Sequence, residues 1–277
     1  MTTTAKNAFI RFGVAFFLLM VAYIPTIKWM VDRWNASDGY YGHGFLIPIV
    51  SAFIIWQRRA VLQKINFTTS VLGIWITASA LLVNIVCAAL KIYFISGFSL
   101  VFALYGLILF FFGREMVKNL LFPVFFLLAM VPLPLVVVGN LTVKMKLFAA
   151  QCSTFVLNKI GFPSILDGST IRMPKSFIAV EAPCSGLRSL IALLTLGLLF
   201  AYALKTSKIK KGVLLASSVP IAMASNVMRI VMLAVVNDLY GGKVAMGFFH
   251  DMSGFLVFGF AFAALLAVSK VLEGGRR

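Results

Sequence analysis

The chain has 277 residues, of which 61% are hydrophobic and 12% are charged, and its formal net charge is +17. Apolar runs of about 20 residues recur along its whole length, which excludes a soluble domain and indicates a membrane protein with several spans. Nucleic-acid binding is not expected from the charge, because the basic residues lie mostly in short loops between apolar runs and reflect orientation in the membrane.

We predict an all-α polytopic membrane protein in which residues 1–277 form one domain of about eight transmembrane helices. The predicted spans cover residues 8–27, 44–57, 70–89, 92–112, 119–138, 184–204, 212–236 and 253–272. Basic residues cluster on one side of these spans, which the positive-inside rule makes cytoplasmic together with both termini. They are Lys6, Arg11, Arg58, Arg59, Lys64, Arg114, Lys118, Lys205, Lys208, Lys210, Lys211, Lys270, Arg276 and Arg277.

Two stretches between the predicted spans have patterns of their own. Residues 141–160 mix apolar side chains with Lys144, Lys146 and Lys159, which favours an amphipathic helix in the membrane interface with its lysines at the lipid headgroups. An ordinary packing helix is the alternative. Residues 168–182, GSTIRMPKSFIAVEA, predict a short extracytoplasmic β-hairpin that leads directly to the next apolar run.

Four reactive side chains fall at one predicted membrane boundary, the outer one. Arg229 lies near the outer end of an apolar span, Cys184 begins another, and His250 and His43 each precede one. Ionisable groups in or beside apolar spans are energetically costly, so they need a reason. Because these four come from distant parts of the chain, their common depth indicates a functional site.

Cys184 is the expected nucleophile. Cys87 and Cys152 are expected to be small buried residues, and the three cysteines lack the spacing of a disulfide framework or a metal site. Pro183 suits the first position of a helix, so the Cys184 thiol would face unpaired backbone N–H groups and the positive end of the helix dipole. Arg188 would lie one turn further on the same face. Such a setting lowers the pKa of a thiol toward thiolate.

Small and charged neighbours support the same interpretation of this motif. Ser185 and Gly186 place little bulk beside the sulfur, so a substrate backbone could approach closely. Glu181 is a partner for Arg188 or Arg229, or else a simple surface carboxylate.

The other two expected active-site groups are a cation and an imidazole. Arg229 carries a planar fork of donors that suits a developing oxyanion, with snorkelling or pairing to Glu181 as the alternative. Asn226, one turn earlier, could hold this arginine or a substrate amide. His250 could be a general acid and base near neutral pH, or a helix cap.

Six short blocks occur along the chain in the order DGYYGHGFLIP, FPVFFLLAMVPLP, LDGSTIRMP, EAPCSGLRSL, SNVMRI and HDMSGFLVF. Together they resemble the exosortase and archaeosortase family of membrane transpeptidases, from about Asp32 to Gly254. The first block resembles the family's Tyr-x-His-Gly element, here with Tyr41 and His43. The last three resemble its cysteine, Asn-x-x-Arg-Ile and closing His…Gly motifs.

The resemblance implies an active site of Cys184, Arg229 and His250 with no cofactor, in the inner membrane of a bacterium and on its extracytoplasmic face. It implies substrates that are exported proteins ending in a Pro-rich motif such as Pro-Glu-Pro, a transmembrane helix and a basic tail. The enzyme would cleave near the motif and transfer the new carboxyl end to an acceptor amine. The residues predicted to bind substrate or support the site are Tyr41, His43, Glu181, Ser185, Gly186, Arg188 and Asn226.

Three other functions stay open on the sequence. An intramembrane thiol protease would use the same residues and release its product to water. A transporter or scaffold would line a path with Arg229 and the histidines, although such proteins often show repeated halves and polar groups near the bilayer midplane. A thiol oxidoreductase would need a second nearby cysteine, for which Cys87 and Cys152 are poorly placed.

Overall fold

The computed structural model describes residues 3–36, 39–245 and 247–274 of the chain. Two compact units, Met1–Pro134 and Leu135–Arg277, make up the structure and are described one at a time. Asp38, Arg276 and Arg277, which entered the predictions above, lie outside the described residues. That the whole chain forms a single domain stays a prediction.

The first unit is helical. Its helices are α1 (Thr3–Ala22), α2 (Ile24–Trp34), α3 (Leu46–Gln57), α4 (Arg59–Leu62), α5 (Val71–Ala89) and α6 (Tyr93–Phe126). Short 3₁₀ turns cover Gly42–Phe45, directly before α3, and Leu127–Met130, directly after α6.

The prediction of one continuous helix over residues 8–27 is wrong, because the chain bends by 66° between α1 and α2. Pro25 lies in the first turn of α2, where a missing backbone N–H is tolerated, whereas in the interior of a helix it would remove a hydrogen bond. The Ala22 carbonyl accepts a hydrogen bond from Asn84 Nδ2 at 3.1 Å, and the Tyr23 hydroxyl donates to the Ala80 carbonyl at 3.1 Å. The Asn84 amide of α5 therefore satisfies a backbone carbonyl at the break, and the Tyr23 hydroxyl ties the bend to α5.

The predicted span 119–138 is also wrong. Helix α6 ends at Phe126, and residues 131–134 are not helical. This segment reads VPLP, and its two prolines, Pro132 and Pro134, disfavour helical continuation. Further up the chain, Gly113 interrupts the helical backbone of α6 with φ 83° and ψ −176°, a conformation that only glycine adopts readily.

The second unit combines helices with a small sheet. Its helices are α7 (Leu135–Lys159), α8 (Leu187–Ala203), α9 (Lys208–Tyr240), α10 (Gly242–Ala245) and α11 (Phe248–Gly274). The strands β1 (Ile165–Asp167), β2 (Thr170–Arg172) and β3 (Phe177–Ala179) form an antiparallel sheet in the order β1-β2-β3. Strands β2 and β3 occupy the stretch where the sequence predicts a hairpin; which side of the membrane they face stays a prediction.

Among the described residues, five helices are long and apolar enough to cross a membrane, or up to six if α1 and α2 form one bent span. This makes the chain a multi-pass, predominantly helical membrane protein. The predicted spans 44–57 and 184–204 correspond to shorter apolar helices, so a total of about eight stays a prediction. Helix α7 is one of the five span candidates, and its predicted place in the interface likewise stays untested.

The sheet of the second unit packs on α7 and α9. Ile171 and Ile178, paired across β2 and β3, are buried with Leu157 of α7 and Leu233 of α9 in one hydrophobic cluster. At the end of α9, Asn237 Nδ2 donates to the carbonyl of Phe177 at 2.9 Å. Because β3 ends at Ala179, three residues before the 3₁₀ turn begins at Ala182, this anchoring fixes the direction from which the chain enters that turn.

Candidate active site

Cys184 lies at the end of a 3₁₀ turn and not in the first turn of a helix. The turn covers Ala182–Cys184, and α8 begins three residues further on, at Leu187. The backbone N–H of Cys184 already donates to the Glu181 carbonyl at 3.0 Å. The prediction that Cys184 opens the helix is therefore wrong, and with it the argument that places its sulfur at the positive end of the helix dipole.

Gly186 and Asn226 lock the loop between the turn and α8. Gly186 precedes α8 with φ 82°, and a Cβ built there would lie 2.8 Å from Asn226 Cγ. Both the backbone conformation and the available space thus require glycine at this position. Asn226 Nδ2 donates to the carbonyl of Cys184 at 2.9 Å. Asn226 therefore occupies the space beside Gly186. Its side-chain amide holds the backbone of Cys184, whereas the sequence suggested that it could hold Arg229 or a substrate amide.

Ser185 plays a part in the same loop. Its side chain is buried, and its hydroxyl accepts a hydrogen bond from the backbone N–H of Leu187 at 3.3 Å. The small residues after the cysteine therefore have roles within the loop, and the close approach of a substrate backbone beside them stays a prediction.

His250 contacts the thiol directly. Helix α11 begins at Phe248, so His250 lies in its first turn. The prediction that His250 precedes this helix is therefore wrong. The Sγ of Cys184 lies 3.7 Å from His250 Nε2, within hydrogen-bonding distance for sulfur. Residues 66 positions apart in the chain are thus brought into one pair, the contact that a nucleophile and its general base require.

Arg229 is the third member of this cluster. Its Nη2 lies 3.5 Å from His250 Nε2 and donates to the backbone carbonyl of His250 at 3.2 Å. Its Nε donates to the Ser253 hydroxyl at 3.0 Å. The planar guanidinium therefore spans two atoms of α11, and this double contact fixes both the arginine and the first turn of that helix.

Ser253 is a residue of the site that the sequence analysis missed. Its buried hydroxyl accepts from Arg229 Nε and itself donates to the His250 carbonyl at 2.7 Å. The available signal was the spacing of three residues between His250 and Ser253, which puts both on one face of a helix. It was hidden because the sequence predicts that the helix begins at residue 253, after His250.

The contacts of His250 Nε2 indicate which tautomer the cluster favours. A guanidinium has only hydrogen-bond donors, and the guanidinium of Arg229 contacts the same atom, His250 Nε2, as the Cys184 thiol does. In a neutral ring, a donor on Nε2 favours the tautomer with the lone pair on that nitrogen and the proton on Nδ1. In this tautomer Nε2, 3.7 Å from Cys184 Sγ, is able to take the proton of the thiol.

Burial raises the pKa of the Cys184 thiol, which corrects the prediction of a lowered pKa. Desolvation in the partly buried position is the largest cause, and the negative charge of Glu181 acts in the same direction. The positive charge of Arg229 acts to lower the pKa of Cys184, but the net shift is still upward. Arg188, which the sequence predicts near the sulfur, is exposed at the second residue of α8. Near neutral pH the thiol is thus protonated at rest.

This raised pKa predicts how Cys184 reacts with iodoacetamide, which modifies only the thiolate. In a Cys87→Ala, Cys152→Ala background, the alkylation rate should rise with pH and reach its midpoint above that of a free cysteine. Removing the Arg229 charge in Arg229→Gln should move the midpoint higher, and Glu181→Gln should move it lower, because the two charges act in opposite directions. A midpoint below that of free cysteine would contradict the burial argument.

The model of one protein family, described as transmembrane exosortase, matches residues 34–267. This range contains Cys184, Arg229, Ser253 and His250, and it covers most of the chain. The chain belongs to the transmembrane exosortase family. No curated protein matches it, and no solved structure does.

The family match also includes the Tyr-x-His-Gly block, which lies in the first unit. The Tyr41 hydroxyl accepts a hydrogen bond from the backbone N–H of Leu133 at 3.1 Å. The indole of Trp34 donates to the Met130 carbonyl at 2.8 Å. Two blocks of the exosortase-family chain that are distant in sequence, DGYYGHGFLIP and the VPLP end of FPVFFLLAMVPLP, are therefore joined in space.

Within the same block, His43 and Tyr41 have nearly parallel rings with centroids 6.0 Å apart. Burial lowers the pKa of His43 and raises the pKa of Tyr41, so both groups are neutral near pH 7. Among the described residues, no group hydrogen-bonds the buried Nε2 of His43. The contacts give Tyr41 a structural part in the first unit, and a part in substrate binding stays a prediction for both residues.

Proposed function

We propose that this member of the exosortase family is a cysteine transpeptidase in which Cys184 is the nucleophile, His250 the general base and acid, and Arg229 the oxyanion donor. The observation that carries the proposal is the contact of three side chains at one atom. His250 Nε2 lies 3.7 Å from Cys184 Sγ and 3.5 Å from Arg229 Nη2. A nucleophile, its base and a cation in one cluster is the arrangement that acyl transfer requires.

In the first half of the reaction, Cys184 attacks the carbonyl of the scissile peptide bond. Because burial keeps the thiol protonated at rest, His250 Nε2 removes the proton as the C–S bond forms. The oxyanion that develops is stabilised by the guanidinium of Arg229. Nε2 then returns the proton to the leaving amine, the C–N bond breaks, and a thioester joins the substrate to Cys184.

In the second half, an acceptor amine attacks the thioester carbonyl. His250 takes a proton from this amine, the C–S bond breaks, and the thiol regains a proton. The chain's own residues return to their starting state, and the substrate has exchanged one amine for another. The identity of the acceptor does not follow from these residues.

The proposed substrates are exported proteins with a C-terminal sorting signal made of a Pro-rich motif, a transmembrane helix and a basic tail. The proposed setting is the inner membrane of a bacterium, with both termini in the cytoplasm and the active site on the other side. The distribution of basic residues among the connections supports this orientation. Lipid headgroups are proposed contacts of the lysines in residues 141–160.

An intramembrane thiol protease is the nearest alternative, and the product separates the two functions. With the membrane-inserted enzyme and a substrate carrying the sorting signal, we expect mass spectrometry to find the new carboxyl end in amide linkage to an acceptor. Added hydroxylamine should intercept the thioester and give a hydroxamate at the same residue. A free carboxyl end under every condition, with no hydroxamate, would favour plain hydrolysis and overturn the proposed transfer.

A further inference from the structure

The first unit contains a large groove that plays no part in the proposed reaction. Its volume is about 840 Å³, and residues of α1, α3, α4, α6 and the segment after α4 line it. The lining is mostly apolar and includes Phe12, Phe16, Ile55, Ile108 and Phe112. A groove of this volume lies within the range of small-molecule sites, about 300–1,000 Å³.

The polar groups of the groove are concentrated in one short part of the chain. Arg59, Gln63 and Asn66 line it, whereas the hydroxyl of Ser51, also in the lining, already donates to the Pro123 carbonyl at 2.9 Å. The guanidinium of Arg59 is held over the ring of Trp56, 4.3 Å from its centroid, and its Nη1 donates to the Trp56 carbonyl at 3.1 Å. A long apolar wall therefore ends at one fixed cation and two amides.

We propose that this groove binds one anionic phospholipid, with an acyl chain along the aromatic wall and the phosphate at Arg59. The apolar wall matches an acyl chain, and the cation with two amides matches a phosphate, for which arginine is a preferred partner. Arg58 and Lys64 add positive charge in the same stretch of sequence, which attracts anionic headgroups. A peptide anchor with a basic tail is disfavoured here because these charges would repel its tail.

The test compares two lipids on the full-length chain. The protein purified in a mild detergent is exposed to equal amounts of dioleoyl phosphatidylglycerol and dioleoyl phosphatidylcholine, washed, and analysed by native mass spectrometry. We expect phosphatidylglycerol to be retained preferentially. Arg59→Gln should reduce this preference about fivefold, the effect expected of one basic residue on an anionic lipid. Arg59→Lys, which keeps the charge, should retain most of it.

Matched controls separate the groove from other surfaces. Arg114→Gln changes an exposed arginine of the same unit outside the lining, and it should leave the preference unchanged. Ala52→Trp fills the groove and should lower retention of both lipids, whereas Phe53→Trp, outside the lining, should not. Equal retention of the two lipids by the unaltered protein, or an unchanged preference in folded Arg59→Gln, would overturn the proposal. Neither result bears on Cys184.

Discussion

Replacing Cys184 by alanine is expected to abolish substrate cleavage while the amount of membrane-inserted protein stays unchanged. The proposed thioester cannot form without the sulfur, and loss of an enzyme nucleophile typically costs on the order of 10⁶ in turnover. The backbone of this residue is held independently of the sulfur, through the Cys184 carbonyl and Asn226, so the loop should keep its conformation. The measurement is the rate of substrate processing, normalised to inserted enzyme.

The other two cysteines are the matched controls for this change. Both Cys87, in α5, and Cys152, in α7, are free thiols. Cys152 lines a second, apolar groove of about 470 Å³ between α7 and α9. Cys87→Ala and Cys152→Ala should leave activity near that of the unaltered enzyme. If Cys152→Ala were as damaging as Cys184→Ala, a single nucleophile would be ruled out and a pair of redox thiols would become the better account.

Replacing Arg229 by lysine is expected to lower turnover by about 10²–10³, the usual effect of losing one oxyanion donor from a preorganised site. The guanidinium bonds the Ser253 hydroxyl through Nε and the His250 carbonyl through Nη2. A lysine ammonium is a single point of charge and cannot reproduce this fork. Expression and membrane insertion should be retained, because the lysine stem also reaches the interface.

The matched control is the other arginine of the cysteine region. Arg188 is exposed at the start of α8, and the pKa of Cys184 responds to Arg229 and Glu181. Arg188→Lys should therefore cost much less than Arg229→Lys when both are normalised to inserted enzyme. Full activity of Arg229→Lys would show that this arginine only anchors the helix, and Cys184 would then lack its proposed electrophilic partner.

The raised pKa of Cys184 gives the proposed mechanism a definite order of events. A stable thiolate–imidazolium pair needs a thiol whose pKa is lowered by its surroundings. Burial favours the protonated thiol, so in the proposed mechanism His250 removes its proton only when a substrate carbonyl is attacked. The charges of Arg229 and Glu181 shift the pKa of the thiol in opposite directions.

Much of the candidate site could be predicted from the residues because the chemistry is unusual for its surroundings. An arginine in an apolar run and a cysteine at the end of one stand out against a background in which charges are rare. The structure places Cys184, Arg229 and His250 in contact. Ser253 could not be singled out, because serine is common in membrane helices and its role depends on a partner 24 positions away in the chain.

The local backbone at each of these residues was harder to predict. Hydropathy reports where a run is apolar, but apolar residues continue through bends, 3₁₀ turns and helix starts without a change in composition. For this reason the bend at Tyr23 and the early start of α11 escaped prediction. The 3₁₀ turn at Cys184 escaped it too, because Pro183 is compatible with either kind of helix start.

The sequence by itself determined the class of this protein and the residue types of its candidate site. Long apolar runs have few stable states outside a membrane, and a cysteine, an arginine and a histidine in or beside them limit the possible chemistry. Only the tertiary structure decided how these groups act on each other. The 3.7 Å contact of Cys184 with His250, the hold of Asn226 on the cysteine carbonyl, and the raised thiol pKa all depend on packing between the 3₁₀ turn of Cys184, α9 and α11. Such packing is non-local, because burial and distance are properties of the folded chain and not of neighbouring residues in the sequence.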